Sequence, residues 1–294
     1  MRPLKLVQVS DIHFGGEHKA AVEAAVERIH AEQPDLVIAA GDLTKDGKVE
    51  EFDAALAWLD RLPSPRIVTP GNHDTPFVGP REILTRLVAP WRRYEDRFGE
   101  RMNSDWDDPR ATVVTLNSAR AFQLRLNWSK GAVSRRQVRD VCADLKQAAP
   151  DALKIVVCHH PLIEMLGGPM TAKVHGGTAA AQAFAQAGAD LVLTGHIHAP
   201  FVHPYPFSDG CTQAVGSGTL SVRERGVPPS FNLIEVDDID IRITALAFER
   251  TEFVTFRTWS VPRRCVPKGS NESGATEVAP LQVQNRTTGQ AGSG

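Results

Sequence analysis

Hydrophobic residues along the first third of this chain switch regularly between two periods. Residues 4–10, LKLVQVS, form an apolar run of strand length. The stretch EHKAAVEAAVERIHAEQ follows, with Val22, Val26 and Ile29 at helical spacing. Next come the strand-like DLVIAA, then KVEEFDAALAWLDRL with Val49, Phe52, Leu56 and Leu59 on one helical stripe, then RIVT. Apolar strands alternating with amphipathic helices predict parallel strands buried beneath crossover helices.

Further along, REILTRLVAPWRRYEDRFGERM predicts two short helices broken near Pro90, leading into an Asp/Asn/Pro-rich loop. The strand TVVTLNS precedes a helix that opens at Ser134, with Gln137 three residues on, a capping-box spacing. LKIVVC and DLVLTG read as buried strands, separated by the Ala-rich helix TAAAQAFAQAG, which stops at Gly188. Beyond residue 200 the texture changes to short strands between turn signals, with a hairpin expected at Asp237-Asp238. Residues 266–294 contain no aromatic residue and read as a disordered tail, leaving residues 1–265 as one α/β domain.

Composition narrows the function classes. With 42% hydrophobic and 23% charged residues, the 294-residue chain has enough apolar material for a sizeable core. A formal net charge of -2 gives no general attraction to nucleic acid or to an anionic membrane, so neither is expected as a partner. No apolar run is long enough to span a bilayer. The N-terminal residues lack the features of a secretory signal. Cys142, Cys158, Cys211 and Cys265 lie far apart without CxxC spacing, which argues against a disulfide framework or a thiolate zinc site. A cytoplasmic location is the resulting expectation.

The candidate chemistry stands at the strand ends, where open α/β sheets bind ligands. The first predicted strand runs into SDIH, the second into AGDL, the third into PGNHD, and the later ones into CHHP and TGHIH. Carboxylate, amide and imidazole donors without thiolate suit Mn, Fe, Co or Zn. Their number exceeds what one catalytic zinc takes from protein and is enough for two ions if a carboxylate bridges them. Two metals suit in-line displacement at phosphorus.

The ordered set Asp11-Ile12-His13, Gly41-Asp42, Gly71-Asn72-His73-Asp74, His159 and Gly195-His196-Ile197-His198 resembles the calcineurin-like metallophosphoesterase superfamily. The resemblance implies an αββα sandwich of two mixed sheets flanked by helices, and two divalent metal ions. Asp11, His13 and His198 would hold one ion, Asn72, His159 and His196 the other, and Asp42 would bridge them. His73 would face the substrate and assist the leaving group, with Asp74 orienting it, while a metal-bridging hydroxide attacks. The resemblance is nearest to the compact bacterial branch of cyclic-nucleotide and glycerophosphodiester phosphodiesterases. It implies a small-molecule phosphodiester as substrate. The alternatives are a phosphomonoesterase or a nucleotide or pyrophosphate hydrolase on the same site, then a nuclease, then a non-catalytic scaffold.

Other residues are less defined. His160 has either an outer role at the site or a purely structural one, and His175 is more simply a solvated loop residue than a lid over the site. The arginines between positions 81 and 101 alternate with acidic residues and read as a solvated, salt-bridged helix face. Arg120 and Arg125 are weaker candidates for reaching a substrate phosphate. The late strands offer an edge for pairing, so a dimer is compatible with the sequence.

Overall fold

Alternate residues of the central strands face two different cores, which explains why those strands read as unbroken apolar runs. The computed structural model describes residues 3–77, 79, 82–99, 105–121, 129–164 and 174–263. The expected tail at 266–294 lies outside them, as does Arg125.

The first half of the chain supplies β1 (Leu4–Val9), α1 (Lys19–Glu32), β2 (Leu36–Ala40), α2 (Val49–Leu59) and β3 (Arg66–Thr69). The short α3 (Ile83–Val88) and α4 (Arg92–Phe98) follow, broken at Pro90 as the sequence predicts. Then come β4 (Trp106–Asp108), β5 (Ala111–Leu116), α5 (Arg135–Gln147), β6 (Leu153–Cys158), α6 (Gly177–Gln186) and β7 (Leu191–Thr194). The chain continues through β8 (Phe201–Pro204), β9 (Gln213–Gly216), β10 (Ser230–Val236), β11 (Asp240–Glu249) and β12 (Glu252–Pro262). One sheet has the order β12-β11-β10-β1-β2-β3 and the other β4-β5-β6-β7-β9-β8. β1, β2 and β3 run parallel in the first, and β5, β6, β7 and β9 in the second, with antiparallel strands outside them.

The layers follow from the side chains. Leu4, Leu6, Leu36 and Ile38 meet Ile155, Val157, Leu191 and Leu193 in a core between the sheets. The intervening Val7, Val9, Val37 and Ala39 turn outward to pack with Val22, Val26 and Ile29 of α1 and Phe52 and Trp58 of α2. Val156, Cys158 and Val192 likewise face Val141 and Leu145 of α5 and Phe184 of α6. The result is the αββα sandwich of two mixed sheets flanked by helices.

Several details differ from the sequence reading. On α2 the buried stripe is Phe52, Ala55, Trp58 and Leu59, while Val49 is exposed. Trp58 turns inward because its Nε1 donates to the Val22 carbonyl at 2.9 Å. β4 and β8 were not anticipated: β4 is a three-residue acidic edge strand, and β8 ends in Pro204. Arg86 is not on a solvated face. It is buried, and its guanidinium donates to the carbonyls of Pro76 and Ala121, whereas Arg93 and Arg97 do pair with Glu82 and Asp53. Cys142 and Cys158 are free thiols. Among the described residues no helix is long and apolar enough to cross a membrane.

A polar seam ties the sheets together near the carboxyl ends of their parallel strands. The buried Gln8 of β1 donates from Nε2 to the Thr194 carbonyl of β7 at 2.9 Å. Asn232 of β10 donates from Nδ2 to Gln8 Oε1 at 3.0 Å and to the Gly216 carbonyl of β9 at 2.9 Å. Replacing Asn232 by Ala leaves two buried acceptors without these donors. The expected cost is about 2–3 kcal/mol, read as a lower urea midpoint at unchanged slope. A shift below about 0.5 kcal/mol would show that the seam does not depend on this side chain.

Candidate metal centre

Five parallel strands, three from one sheet and two from the other, end at the same point of the sandwich. The turns leaving them place Asp11, His13 and His198 in one group whose ligand atoms lie within 4.8 Å of one another. Asp11, Asp42 and His159 form a second group on the same criterion, and His13, Asp42 and His73 a third. Asp42 thus stands between the side chains from the two sheets. Asn72 and His196 are buried beside them, His196 with its ring 5.2 Å from that of His159.

The backbone at these turns is strained. Asp11 (φ 54°), His13 (φ 52°), Asp42 (φ 52°), His196 (φ 68°) and His198 (φ 60°) all adopt the left-handed region. Elsewhere among the described non-glycine residues only Gln33, Ser208 and Arg250 do so. Each such residue costs about 1–2 kcal/mol. Asp-x-His and His-x-His share one device, in which two left-handed residues flank an apolar one held in a core, Ile12 in the first case and Ile197 in the second. The glycines of these motifs are needed for close approach: a Cβ on Gly71 would collide with Asp42, and one on Gly195 with Ser10 and Asp11.

Three imidazoles are oriented the same way. Nδ1 of His13 contacts the Thr44 carbonyl at 3.2 Å, that of His159 the Ala40 carbonyl at 2.9 Å, and that of His198 the Arg223 carbonyl at 2.8 Å. A carbonyl only accepts, so each Nδ1 carries a proton and Nε2 is the nitrogen turned inward, the one a metal would take once any proton on it has left. The inward atoms crowd one another without bonding well. His159 Nε2 is 3.2 Å from Asp42 Oδ2 and His198 Nε2 is 3.1 Å from Asp11 Oδ1, yet Asp11 Oδ1, His159 Nε2 and Asn72 Oδ1 complete no hydrogen bond. Buried polar atoms seldom go without a partner. Orphaned oxygens and imidazole nitrogens converging on one space fit divalent metal ions.

The outer oxygens of the carboxylates are fixed. Asp11 Oδ2 accepts from Ser10 Oγ at 2.6 Å and from the His196 backbone N–H at 2.8 Å, and Asp42 Oδ1 from the His73 N–H at 2.8 Å. Without a metal, burial opposes ionisation of both carboxylates, but the neighbouring histidines outweigh it and hold them below the usual carboxylate range. Burial likewise opposes protonation of His159, yet Asp42 and Asp11 push it up to about 10. Burial draws His13 and His196 down to about 4.

Asp74 and His160 lie beside the centre. Asp74 does not touch the His73 ring. Its carboxylate accepts from Gly71 N at 2.9 Å, Thr44 N and Thr44 Oγ1 at 2.9 Å, and Leu43 N at 3.2 Å, so it clamps the turns that carry Asp42 and Asn72. The Lys45 carbonyl takes Nδ1 of His73 instead, at 2.6 Å. The hydrogen bonds of Asp74 thus go to the turns beside the short 3-10 turn Asn72–Asp74. His160, though stacked on His196 at 4.6 Å, has both ring nitrogens bonded: Nε2 to the Ser129 carbonyl and Nδ1 to Ser118 Oγ, each at 2.9 Å. It supports the neighbouring rings from behind.

Other candidates lie elsewhere. Arg120 donates to Gln137 Oε1 at 2.8 Å, within the cap of α5. His175 is exposed and is tied through its backbone to Gly131 and Val133. Arg223, which no motif flagged, reaches the centre: its Nη1 is 3.3 Å from His73 Nε2.

The Calcineurin-like phosphoesterase family model matches residues 4–200, the span that contains every one of the convergent turns. The chain belongs to this family. A glycerophosphodiester phosphodiesterase of Enterobacter lignolyticus is 34% identical over 167 residues, covering 53% of this chain and 56% of that protein. A 3',5'-cyclic adenosine monophosphate phosphodiesterase of Pseudomonas aeruginosa is 35% identical over 80 residues, 24% of this chain and 29% of that protein. The aligned parts therefore span little more than half of these relatives at most. Among solved structures, PhoD superposes with a TM-score of 0.69 at 11% identity, covering 90% of this chain and 70% of that one. A dimetal phosphatase from Danio rerio gives 0.64 at 12% identity, covering 90% of this chain and 100% of that one. At these identities the structures show a shared fold.

Two expectations test the centre. Because His159 holds its proton to about pH 10 in the metal-free protein, metal uptake must expel it. Affinity should therefore rise with pH, with net release of protons on loading at pH 7. Calorimetry in buffers of different ionisation enthalpy checks this, and no net release would contradict the assignment of His159. Replacing Asp74 by Ala should lower stability by about 3 kcal/mol or more through the lost carboxylate bonds. Loss of turnover at unchanged melting temperature would instead return Asp74 to a direct role beside His73.

Proposed function

We propose that this protein is a dinuclear-metal phosphodiesterase acting on a small phosphodiester of the cyclic-nucleotide or glycerophosphodiester kind. The convergence of Asp11, His13, Asp42, Asn72, His159, His196 and His198 on one buried space carries the reading, with His73 at its mouth. The relatives named for diester hydrolysis support the choice of substrate class. Asp11, His13 and His198 would hold one ion and Asn72, His159 and His196 the other, with Asp42 shared. Two bound divalent ions supply Lewis acidity and activate water at neutral pH.

The remaining steps belong to the chain. Asp42 would be the shared carboxylate; its Oδ1 accepts from the His73 N–H and its Oδ2 lies 3.2 Å from His159 Nε2. The tautomers set by Thr44, Ala40 and Arg223 keep His13, His159 and His198 ready as ligands without reorganisation. His73 is anchored through Nδ1, so Nε2 is the nitrogen that faces an incoming ester. As the new phosphorus–oxygen bond forms and the ester bond breaks, the departing alkoxide takes a proton from that nitrogen. The complete donor set and the placed His73 weigh against a scaffold without catalysis.

The test uses metal-stripped protein with Mn, Fe, Co or Zn added back. Substrates are a glycerophosphodiester, cyclic AMP, an aryl phosphodiester and an aryl phosphomonoester. Restored diester hydrolysis is expected. Inactivity on every ester with every metal overturns the reading, and a strong monoester preference overturns its substrate class. His73→Ala should keep both metals and lose turnover by about 10²–10⁴-fold. Lost metal in that variant would make His73 a ligand.

A further inference from the structure

We infer that Arg223 is a substrate-binding residue that grips the phosphoryl group of the ester, an inference that rests on the phosphodiesterase reading. Its main chain is built into the centre. The Arg223 carbonyl orients His198, and its N–H donates to Ser221 Oγ at 3.2 Å. Ser221 Oγ lies 2.7 Å from Thr219 Oγ1, which donates to the Asp11 carbonyl. Val222 N donates to the Gly16 carbonyl at 3.1 Å. The backbone is therefore held from both sides of the centre while the side chain remains exposed.

That side chain goes to the mouth of the site. The His73 ring packs edge-on against His13, with centroids 4.8 Å apart, and Arg223 Nη1 is 3.3 Å from the outer nitrogen of His73. In the neutral ring Nδ1–H faces the Lys45 carbonyl, so Nε2 accepts from the guanidinium. A guanidinium has five donors in a planar fork, and this contact uses only one of its groups.

No carboxylate pairs with Arg223 among the described residues, whereas Arg93 and Arg97 of α4 do have acidic partners. A cation beside the His73 imidazole, with no carboxylate partner among the described residues, is matched to an anion that arrives with the substrate. The two non-bridging oxygens of a phosphodiester fit a planar fork. Arg223 would bind them by swinging its Nη1 from His73 to the ester, which leaves Nε2 of His73 to carry the proton that the leaving oxygen takes.

The probe is inorganic phosphate, titrated calorimetrically into the metal-loaded protein, together with kinetics on whichever diester the wild type hydrolyses. Arg223→Ala should retain both metals, bind phosphate about tenfold or more weakly, and raise KM for the diester. Arg223→Lys should recover part of the phosphate affinity through charge and not the remainder, because the fork is lost. The same loss should appear when Arg223→Ala is added to His73→Ala. Equal phosphate affinity in wild type and Arg223→Ala would overturn the inference. So would an effect that vanishes in the His73→Ala background, since Arg223 would then act only by positioning His73. Wild-type protein that hydrolyses no phosphoester defeats the diesterase reading, while the phosphate titration still decides what Arg223 binds.

Discussion

Two carboxylates, Asp11 and Asp42, are buried where the two sheets meet, and the rest of the site is arranged around that fact. An ionised carboxylate loses several kcal/mol of hydration on burial unless charge and hydrogen bonds replace the water. One oxygen of each is satisfied by the chain, through Ser10 and the His196 N–H for Asp11 and through the His73 N–H for Asp42. The other oxygen of each meets an imidazole nitrogen at contact distance. The protein thus neutralises half of each group and directs the remainder at one space. A metal ion is the partner that this remainder suits, because it compensates charge on both carboxylates and accepts lone pairs from the imidazoles together.

Holding those groups in place explains the backbone. A strand continuing in its ordinary conformation would alternate its side chains between the two cores and carry Asp11 and His13 past the centre. The left-handed residues turn the chain sharply and so keep both side chains at the centre, while Ile12 and Ile197 anchor the turns in the packed layers. The strain is local and the anchoring is not. Asp74 joins the turns after β2 and β3, and carbonyls of neighbouring turns set the histidine tautomers. Ligand geometry is therefore over-determined by groups that never contact the ligands' inward atoms.

Much of this was legible in the sequence. The periods placed the parallel strands and their crossover helices, and Pro90, Ser134 and Gly188 marked helix boundaries at or near the observed ones. Strand ends carrying Asp, Asn and His pointed to the centre because a buried strand can present such residues only where it stops. What remained hidden depends on contacts between distant segments. Gln8 lies within a run read as apolar, and it pairs with Asn232, 224 residues away. Asp74 looked like the partner of its neighbour His73, but a one-turn 3-10 segment points adjacent side chains in different directions. Arg223 lies beyond the last motif in a loop with no periodicity, and only the fold brings it within reach of His73. Trp58 is buried, and the hydrogen bond from its Nε1 to the Val22 carbonyl of α1 is a contact that helical spacing does not show.

The Gln8–Asn232 seam links this constraint to function. The donors come from both sheets, so any sliding of one sheet on the other would separate Asp11 and Asp42 from His159 and His196. Apolar contact between the sheets resists separation but has little directional preference for sliding. Hydrogen bonds from Gln8 to β7 and from Asn232 to β9 do have direction, and they lie within a few residues of Asp11 and His196. The His196 N–H on Asp11 adds a third link across the same line. These polar bonds fix the register of the two sheets at the end where it matters, while the apolar core supplies the bulk of the adhesion. A centre fixed in this way need not reorganise as charge develops on a reacting phosphoryl group, which is the condition under which oriented dipoles stabilise a transition state most strongly. Adaptability is left to the rim, where Arg223 has a pinned backbone and an exposed side chain.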